Sequence, residues 1–482
     1  MFTSDKFYIN GRWVPAESGR FHEAIDPATA QSSGRVALAT AAEVDSAVSA
    51  AKTAFPTYSA TAREQRVELL SKLRDELAAR ADRLAEAQTV EMGAQKEVAE
   101  QAMVPLALGH VSIAAESLKT YEFEDKRGAT LVRHVPIGVC ALITPWNFPA
   151  PLVMSKVAPA LAVGATVVLK PSVFASRSAT IIAEAIDAAG FPPGSFNMIL
   201  GSGSEVGELL AKHPDVAMVS ITGSTEAGAA VARNAADSIK RVHQELGGKS
   251  PNVVLDSADL AGSVERGVLS LMYNAGQVCS APSRLLVPEH KRDEAVEVAR
   301  KTAESITIGA PDSGAYLGPV VNESQWKSVQ AYIEKGIAEG ATLVTGGPGL
   351  PDGVADGYYV KPTVFADVTP DMTIAQEEVF GPVLVMQSYK DVDDAVRLAN
   401  DTQYGLAAYV QGTSIEELRA VAGRIPAGQV YLNGSGLDLL DPAAPFGGLG
   451  RSGNGREWGP DGFEAYLESV AFIGFDPEQS AT

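Results

Sequence analysis

Short apolar strand patterns alternate with amphipathic helical ones along this chain, and that alternation restricts it to α/β architecture. The run ATVVLKPS (165–172) reads as a buried strand ending in a lysine and a proline. Ile182, Ala185, Ile186 and Ala189 follow at helical spacing, closed by Gly190 and Pro192. DVAMVSITGS (215–224), SPNVVLDS (250–257) and GQVYLNG (428–434) read as further strands. Thr61 and Glu64 predict a capping box ahead of leucines at 70, 73, 77 and 84, and Ser414 and Glu417 predict a cap for SIEELRAVAGRI. A chain of 482 residues is too long for one ordinary domain. Two α/β domains fit, dividing near ELGGK (245–249), where paired glycines free the backbone.

Bulk properties narrow the function classes. A formal net charge of −20 argues against nucleic acid and anionic membrane surfaces, which need basic patches. Two cysteines cannot build a disulfide framework, and no Cys/His cluster has zinc spacing, so no metal site is expected. The start, MFTSDKFYINGRWV, has no signal-peptide pattern. The longest apolar run, VAPALAVGATVVL from Val157, is broken by Pro159 and Gly164, so no membrane span is expected. These features predict a cytoplasmic enzyme.

Three segments carry candidate chemistry. Cys279, in NAGQVCSAPSR (274–284), lies among small and polar neighbours that offer little to bury it, whereas Cys140 in IGVCALIT fits an apolar core strand. On the residues alone Cys279 is either a packing cysteine or a nucleophile. A nucleophilic thiol needs a group to hold developing charge and a base to turn the intermediate over. Asn147, in the stiff loop ITPWNFPAP (143–151), offers a preorganised amide or an ordinary turn hydrogen bond. Glu245, ahead of two glycines, is either an inward carboxylate or a solvated one.

PWNFP, LKPS, ITGST, ELGGKSP, NAGQVCSAPSR, EEVFGPV (377–383), AAPFGGLGRSG (443–453) and GREWG (455–459) occur in this order. Together they make the chain resemble the aldehyde dehydrogenase superfamily over almost its whole length. The resemblance implies that Cys279 is the nucleophile, attacking an aldehyde to give a thiohemiacetal whose oxyanion is held by the Asn147 amide and the Cys279 backbone N–H. Hydride transfer to a nicotinamide cofactor leaves a thioester, and Glu245 activates the water that hydrolyses it. Relatives that pass the acyl group to coenzyme A often lack this glutamate, so free carboxylate is the expected product. Lys156 and Glu457 match a pair proposed to relay the proton from Glu245; a plain salt bridge is an equal reading.

For the cofactor, the resemblance places Lys170 at the adenosine ribose and Glu378 and Phe380 at the nicotinamide ribose. Gly223 and Ser224 lie where a pyrophosphate meets a helix N-terminus. Ile143, Thr144, Pro145, Trp146, Ser172, Thr222, Leu246 and Gly247 belong to the same expected site. Gly203 and Gly207, in GSGSEVG, are a weaker match, because their spacing departs from the dinucleotide fingerprint. Many NAD-using members carry glutamate after KPS where this chain has Val173. Valine neither bonds the ribose nor repels a 2′-phosphate, and Arg177 is near in sequence, so NAD or NADP is expected.

The expected substrate tunnel comprises Phe148, Leu152, Ser155, Tyr273, Ser280, Leu440 and Phe446. Ser155 stands where several relatives carry a large aromatic residue, which suggests a wider tunnel suited to a medium-sized aliphatic or aromatic aldehyde. Asp438 is expected near its mouth. The fold implied is a Rossmann-like cofactor domain (1–121 and 137–246), an α/β catalytic domain (247–450) and a small β oligomerisation element (122–136 and 463–482). Val132, Val470 and Phe472 would pair in a dimer or tetramer. A rival from another class, a cysteine hydrolase with His243 as base to Cys279, needs no cofactor.

Overall fold

The computed structural model describes residues 2–434 and 439–476. The fold is mixed α/β, built on two large sheets. The first has eight strands in the order Gly453–Asn454, Arg241–Glu245, Met218–Thr222, Val139–Thr144, Thr166–Pro171, Phe196–Met198, Lys6–Ile9 and Arg12–Pro15. The middle five, from Arg241–Glu245 to Phe196–Met198, are parallel. They read as continuous apolar runs because helices cover both faces. Val139–Thr144 and Thr166–Pro171 are buried at every position, and the helix Pro149–Val163 against them is buried at all but one residue.

Chain order sets where a ligand can sit. From Val139–Thr144 the chain steps outward through Thr166–Pro171 to Phe196–Met198, then returns to the other side as Met218–Thr222 and Arg241–Glu245. The reversal leaves a crevice beyond the carboxyl ends of Val139–Thr144 and Met218–Thr222, the usual ligand position in open parallel sheets.

The second sheet has seven strands, Thr342–Thr345, Thr363–Ala366, Val383–Tyr389, Arg284–Pro288, Pro251–Val254, Ala407–Gln411 and Gln429–Leu432, all parallel except the first. A three-stranded antiparallel sheet, Glu124–Arg127, Thr130–Pro136 and Leu467–Phe472, stands apart from both. On its last strand Val470 and Phe472 are exposed. The rest of the 463–482 segment past Asp476 lies outside the described residues.

Local expectations divide. Gly190 closes the helix Ser176–Ala189 in the left-handed conformation, and the Ser414 side chain accepts from Glu417 N at the start of Ile415–Ala422. The Thr61–Glu64 capping box does not form. The helix Arg63–Ala78 begins at Ala62 without a side-chain cap, and the Thr61 hydroxyl donates to Tyr58 O at 2.7 Å, closing the preceding turn instead. Leu84 lies on a separate helix, Ala81–Met92. Among the described residues one helical run, Lys96–Thr120, is long and apolar enough to cross a membrane, which the sequence reading missed. Its Ala107, Val111 and Leu118 are buried in the core shared with Arg63–Ala78 and Pro149–Val163.

Arg284 joins the second sheet to the segment that leads into the site. Fully buried, it donates to Lys249 O (2.9 Å), Leu398 O (3.0 Å) and Ala399 O (2.8 Å), the last two being carbonyls in the final turn of the helix Val392–Asn400, where Leu398 O also accepts from Asp401 N (3.2 Å). Arg284→Met takes the buried donor from the Lys249 and Ala399 carbonyls, while Leu398 O keeps its bond from Asp401 N, and is expected to cost about 3 kcal/mol, read as a lower urea midpoint. Lys327→Ala, which removes an exposed pair with Glu323, is the control and leaves the midpoint unchanged.

Candidate active site

At the crevice opens a cleft of about 510 Å³. The loop after Val139–Thr144 brings Pro145, Trp146 and Asn147 to its wall; the loop after Met218–Thr222 brings Thr222, Gly223 and Ser224; Leu246 and Gly247 follow Glu245. Across from them stand Cys279, Glu378 and Phe380 from the chain of the second sheet.

Cys279 is presented by a left-handed turn. Asn274, Ala275 and Gly276 have φ of 51°, 55° and 73°. A turn of this kind costs energy for residues with a side chain and persists only when its surroundings hold it. Asn274 Nδ2 donates to Asn147 O and Asn147 Nδ2 to Gln277 O, both at 3.0 Å. Gln277 Nε2 donates back to Asn274 O (3.0 Å), while its Oε1 accepts from Val321 N (2.9 Å). Asn274 and Gln277, not singled out from sequence, are thus the clamp. The Asn147 amide spends one N–H on this clamp and has a second to give.

Glycines let the segments meet. A Cβ at Gly276 would lie 2.1 Å from Gly381 O, one at Gly248 2.6 Å from Cys279 O, and one at Gly247 1.8 Å from Glu378 Oε2. Glu378 accepts from Gly248 N at 3.1 Å, and burial pushes its pKa up to about 7, with Lys249 opposing. Burial, then the charges of Glu378 and Glu245, push the Cys279 thiol up to about 12.

Glu245 is buried with neither carboxylate oxygen hydrogen-bonded. Burial raises its pKa well above the carboxylate range, Glu457 adds to the rise, and Lys156 and Arg456 oppose it. Lys156 and Glu457 form a fully buried ion pair; Lys156 Nζ also donates to Ser220 Oγ at 2.8 Å. The expected tunnel position of Ser155 is corrected here: the side chain is 2% exposed and donates to Glu457 Oε2 at 3.0 Å, so it holds the ion pair rather than widening a wall. His243 turns its ring toward Ser220 (3.2 Å) and Glu457 (3.8 Å), which does not make it a base for Cys279 and leaves the hydrolase reading without its dyad.

Other expected residues fall into groups. Trp146 packs edge-on to Phe380 with ring centres 5.5 Å apart. Thr222 Oγ1 is buried without a partner at the cleft, and Ser224 caps the helix Thr225–Ala235. Ile143 and Thr144 are buried in their strand, behind the wall rather than on it. Lys170 Nζ donates to Pro171 O (3.0 Å) and Gly201 O (3.2 Å), and burial lowers its pKa to about 8. Ser172 caps the turn Val173–Ala175. A Cβ on Gly207 would approach Lys170 to 3.9 Å, whereas Gly203 is exposed with nothing near it. Arg177 is directed elsewhere: its guanidinium donates to Ser33 O (2.8 Å) and lies over Phe2.

Of the tunnel residues, Leu440 and Phe446 pack with Cys279 around Leu406 and Trp458. Ser280 follows Cys279, its carbonyl accepting from Tyr409 Oη at 2.8 Å. Phe148 packs against Met92, Met103 and Val321, and the Leu152 carbonyl accepts from Ser155. Tyr273 lines a separate cavity of about 680 Å³ with residues 95–102 and 311–316. Asp438 lies outside the described residues. Gln325, Tyr404 and Arg451 also line the cleft and carried no sequence signal.

Residues 13–472 match the Aldehyde dehydrogenase family. The chain is 47% identical over 473 residues, 98% of each protein, to 3-succinoylsemialdehyde-pyridine dehydrogenase of Pseudomonas sp.. A mutant of aldehyde dehydrogenase C from Pseudomonas syringae, solved with NAD+ and octanal, is 49% identical and superposes with a TM-score of 0.97, covering 98% of this chain and 97% of that one. An NAD+ complex of aldehyde dehydrogenase from Bacillus cereus is 36% identical with a TM-score of 0.94, covering 97% and 96%. With this cleft, and with that likeness running nearly end to end, the chain belongs to the aldehyde dehydrogenase family and is an NAD(P)-dependent enzyme that oxidises an aldehyde.

Proposed function

We propose that the protein oxidises medium-sized aliphatic or aromatic aldehydes to free carboxylic acids, with Cys279 as nucleophile, Asn147 as oxyanion donor and Glu245 as the base for hydrolysis. The observation that carries this reading is the convergence of Cys279 and Asn147 on one cleft, with an unpaired, buried Glu245 at the end of the strand beneath it. The Cys279 thiolate, regenerated by each hydrolysis, adds to the aldehyde carbon, and the second Asn147 N–H, with the Cys279 backbone N–H, meets the developing oxyanion. The nicotinamide cofactor, when bound, supplies the hydride acceptor. Glu245, whose pKa burial raises well above the usual carboxylate range, draws a proton from the water that attacks the thioester.

Residues present fit that cofactor. Thr222 Oγ1 is a buried polar atom without a protein partner at the cleft. Glu378 and Phe380 are proposed to hold the nicotinamide ribose, Lys170 the adenosine ribose, and Gly223 and Ser224 the pyrophosphate. NAD is the proposed preference over NADP: Arg177 is committed to Ser33 and Phe2, and Lys170 is engaged by two carbonyls, so neither of these two cations stands ready for a 2′-phosphate. The octanal complex of the Pseudomonas syringae relative supports the apolar substrate class. Residues 1–121 and 137–246 are proposed as the cofactor domain, 247–450 as the catalytic domain, and 122–136 with 463–482 as the element that joins subunits. Exposed Val470 and Phe472 support a dimer or tetramer. Two free cysteines suit a reducing compartment, which supports the cytoplasm.

Steady-state oxidation of short aliphatic, long aliphatic, aromatic and semialdehyde substrates, each with NAD and with NADP, tests the reading. Turnover is expected to be best for a medium or long aliphatic or an aromatic aldehyde with NAD, and absent in Cys279→Ala; turnover surviving that substitution overturns the role of Cys279. Glu378→Gln removes the one of the two carboxylates that acts more strongly on the thiol. At pH 9, where Glu378 is ionised, it is expected to lower the thiol pKa and speed iodoacetamide alkylation of Cys279 relative to wild type.

A further inference from the structure

The strand Arg241–Glu245 buries two titratable side chains on one face, Glu245 and His243, and the chemistry above uses only the first. His243 is not packed as an inert ring. Its Nδ1 is 3.2 Å from Ser220 Oγ, which accepts from Lys156 Nζ at 2.8 Å; Lys156 pairs with Glu457, and Glu457 Oε1 lies 3.8 Å from His243 Nδ1. Four polar side chains from four segments thus make one continuous cluster inside the core. Glu245 makes no hydrogen bond to this cluster; it shares a strand face with His243, and the Glu457 charge reaches it through space. At its outer end His243 lines a second cavity, of about 390 Å³, with Arg456, Asp461 and Glu464, and this cavity shares no lining residue with the cofactor cleft. His243 Nε2 is buried without a hydrogen-bond partner. Gly455, at φ 89°, makes room for the ring: a Cβ there would lie 2.1 Å from His243 Cδ2 and 2.5 Å from Nε2.

We propose that His243 carries to solvent the proton that Glu245 takes from the hydrolytic water, receiving it through Glu457, Lys156 and Ser220 and releasing it into the 390 Å³ cavity. This rests on Glu245 as the base for thioester hydrolysis. In that step the water oxygen bonds to the thioester carbon, one water proton goes to the Glu245 carboxylate, and the C–S bond breaks to return the Cys279 thiolate. The second water proton leaves on the acid product. Glu245 must lose its proton before the next turnover, and nothing is oxidised or reduced in doing so. An imidazole suits the outer position because it can accept at one ring nitrogen while giving up a proton from the other. Burial holds His243 down to about 4, with Glu457 and the Arg456 backbone opposing and the Lys156 and Arg456 charges assisting, so the ring is neutral and able to accept at neutral pH. Tyr466, through Ser220, and His110, beside Glu457, complete the groups that face the cluster.

The test is quench-flow on the full-length enzyme with octanal and NAD+, reading the burst of reduced cofactor and the formation of octanoate separately. His243→Ala is expected to keep the burst and to slow octanoate formation about tenfold or more, with free imidazole restoring the rate through the space vacated beside Gly455. His243→Asn keeps a polar group near Ser220 and is expected to show the same loss. Octanoate formation within twofold of wild type in either variant overturns the proposal, as does a loss that imidazole leaves unchanged. A wild type that gives no burst and no acid with any aldehyde overturns the dehydrogenase reading itself.

Discussion

The reaction centre depends on three backbone segments passing closer together than any side chain allows. The ELGGK segment runs between the Cys279 carbonyl and the Glu378 carboxylate, and Gly276 rides on the Gly381–Pro382 peptide; a Cβ at Gly247, Gly276 or Gly248 would lie 1.8, 2.1 or 2.6 Å from a neighbouring oxygen. Glu245, Cys279 and Glu378 come from residues far apart in the chain and belong to two different sheets. Without glycine at these crossings the sheets would stand further apart, and the cleft would lose the thiol from its wall. The left-handed turn at 274–276 is the local consequence, and the Asn147–Asn274–Gln277 clamp makes it tolerable.

Burial at the site creates the second constraint. Glu245 and Glu457 are buried and Cys279 and Glu378 are partly sheltered at the cleft wall, so each acidic group is pushed toward its neutral form unless a partner intervenes. Lys156 intervenes for Glu457, which stays ionised, and no hydrogen bond does so for Glu245. Two buried carboxylates are thereby driven to opposite behaviour: Lys156 holds Glu457 ionised, while burial and the Glu457 charge raise Glu245. The same economy of polar partners makes Ser155 and Ser220 matter, since each satisfies one end of the buried ion pair.

Much of the fold was legible in the sequence because buried parallel strands announce themselves as unbroken apolar runs, and because Gly190 and Ser414 are stop and start signals with a local mechanism. Thr61 shows the limit: the same residue type one turn earlier ends a helix instead of starting one, since its hydroxyl found the Tyr58 carbonyl first. The segments PWNFP, ELGGK, NAGQVC and EEVFGP converge on one cleft, yet their sequence did not reveal how. Ser155 was read as a wall because nothing local points to Glu457, its partner 302 residues away. Arg177 was read as a neighbour of Lys170 because the two are close in sequence; long-range contact with Phe2 and Ser33 takes it away. Side-chain direction and distant pairing are what a single sequence leaves open.

The central claim is that an acyl group passes through Cys279 and is released by Glu245. In Glu245→Gln the thioester has no base to hydrolyse it. Mixing that variant with excess octanal and NAD+, quenching in acid and mapping peptides by mass spectrometry is expected to find an octanoyl group on Cys279 and none on Cys140. An unmodified Cys279 alongside stoichiometric reduced cofactor, or acylation elsewhere in the chain, would contradict the account.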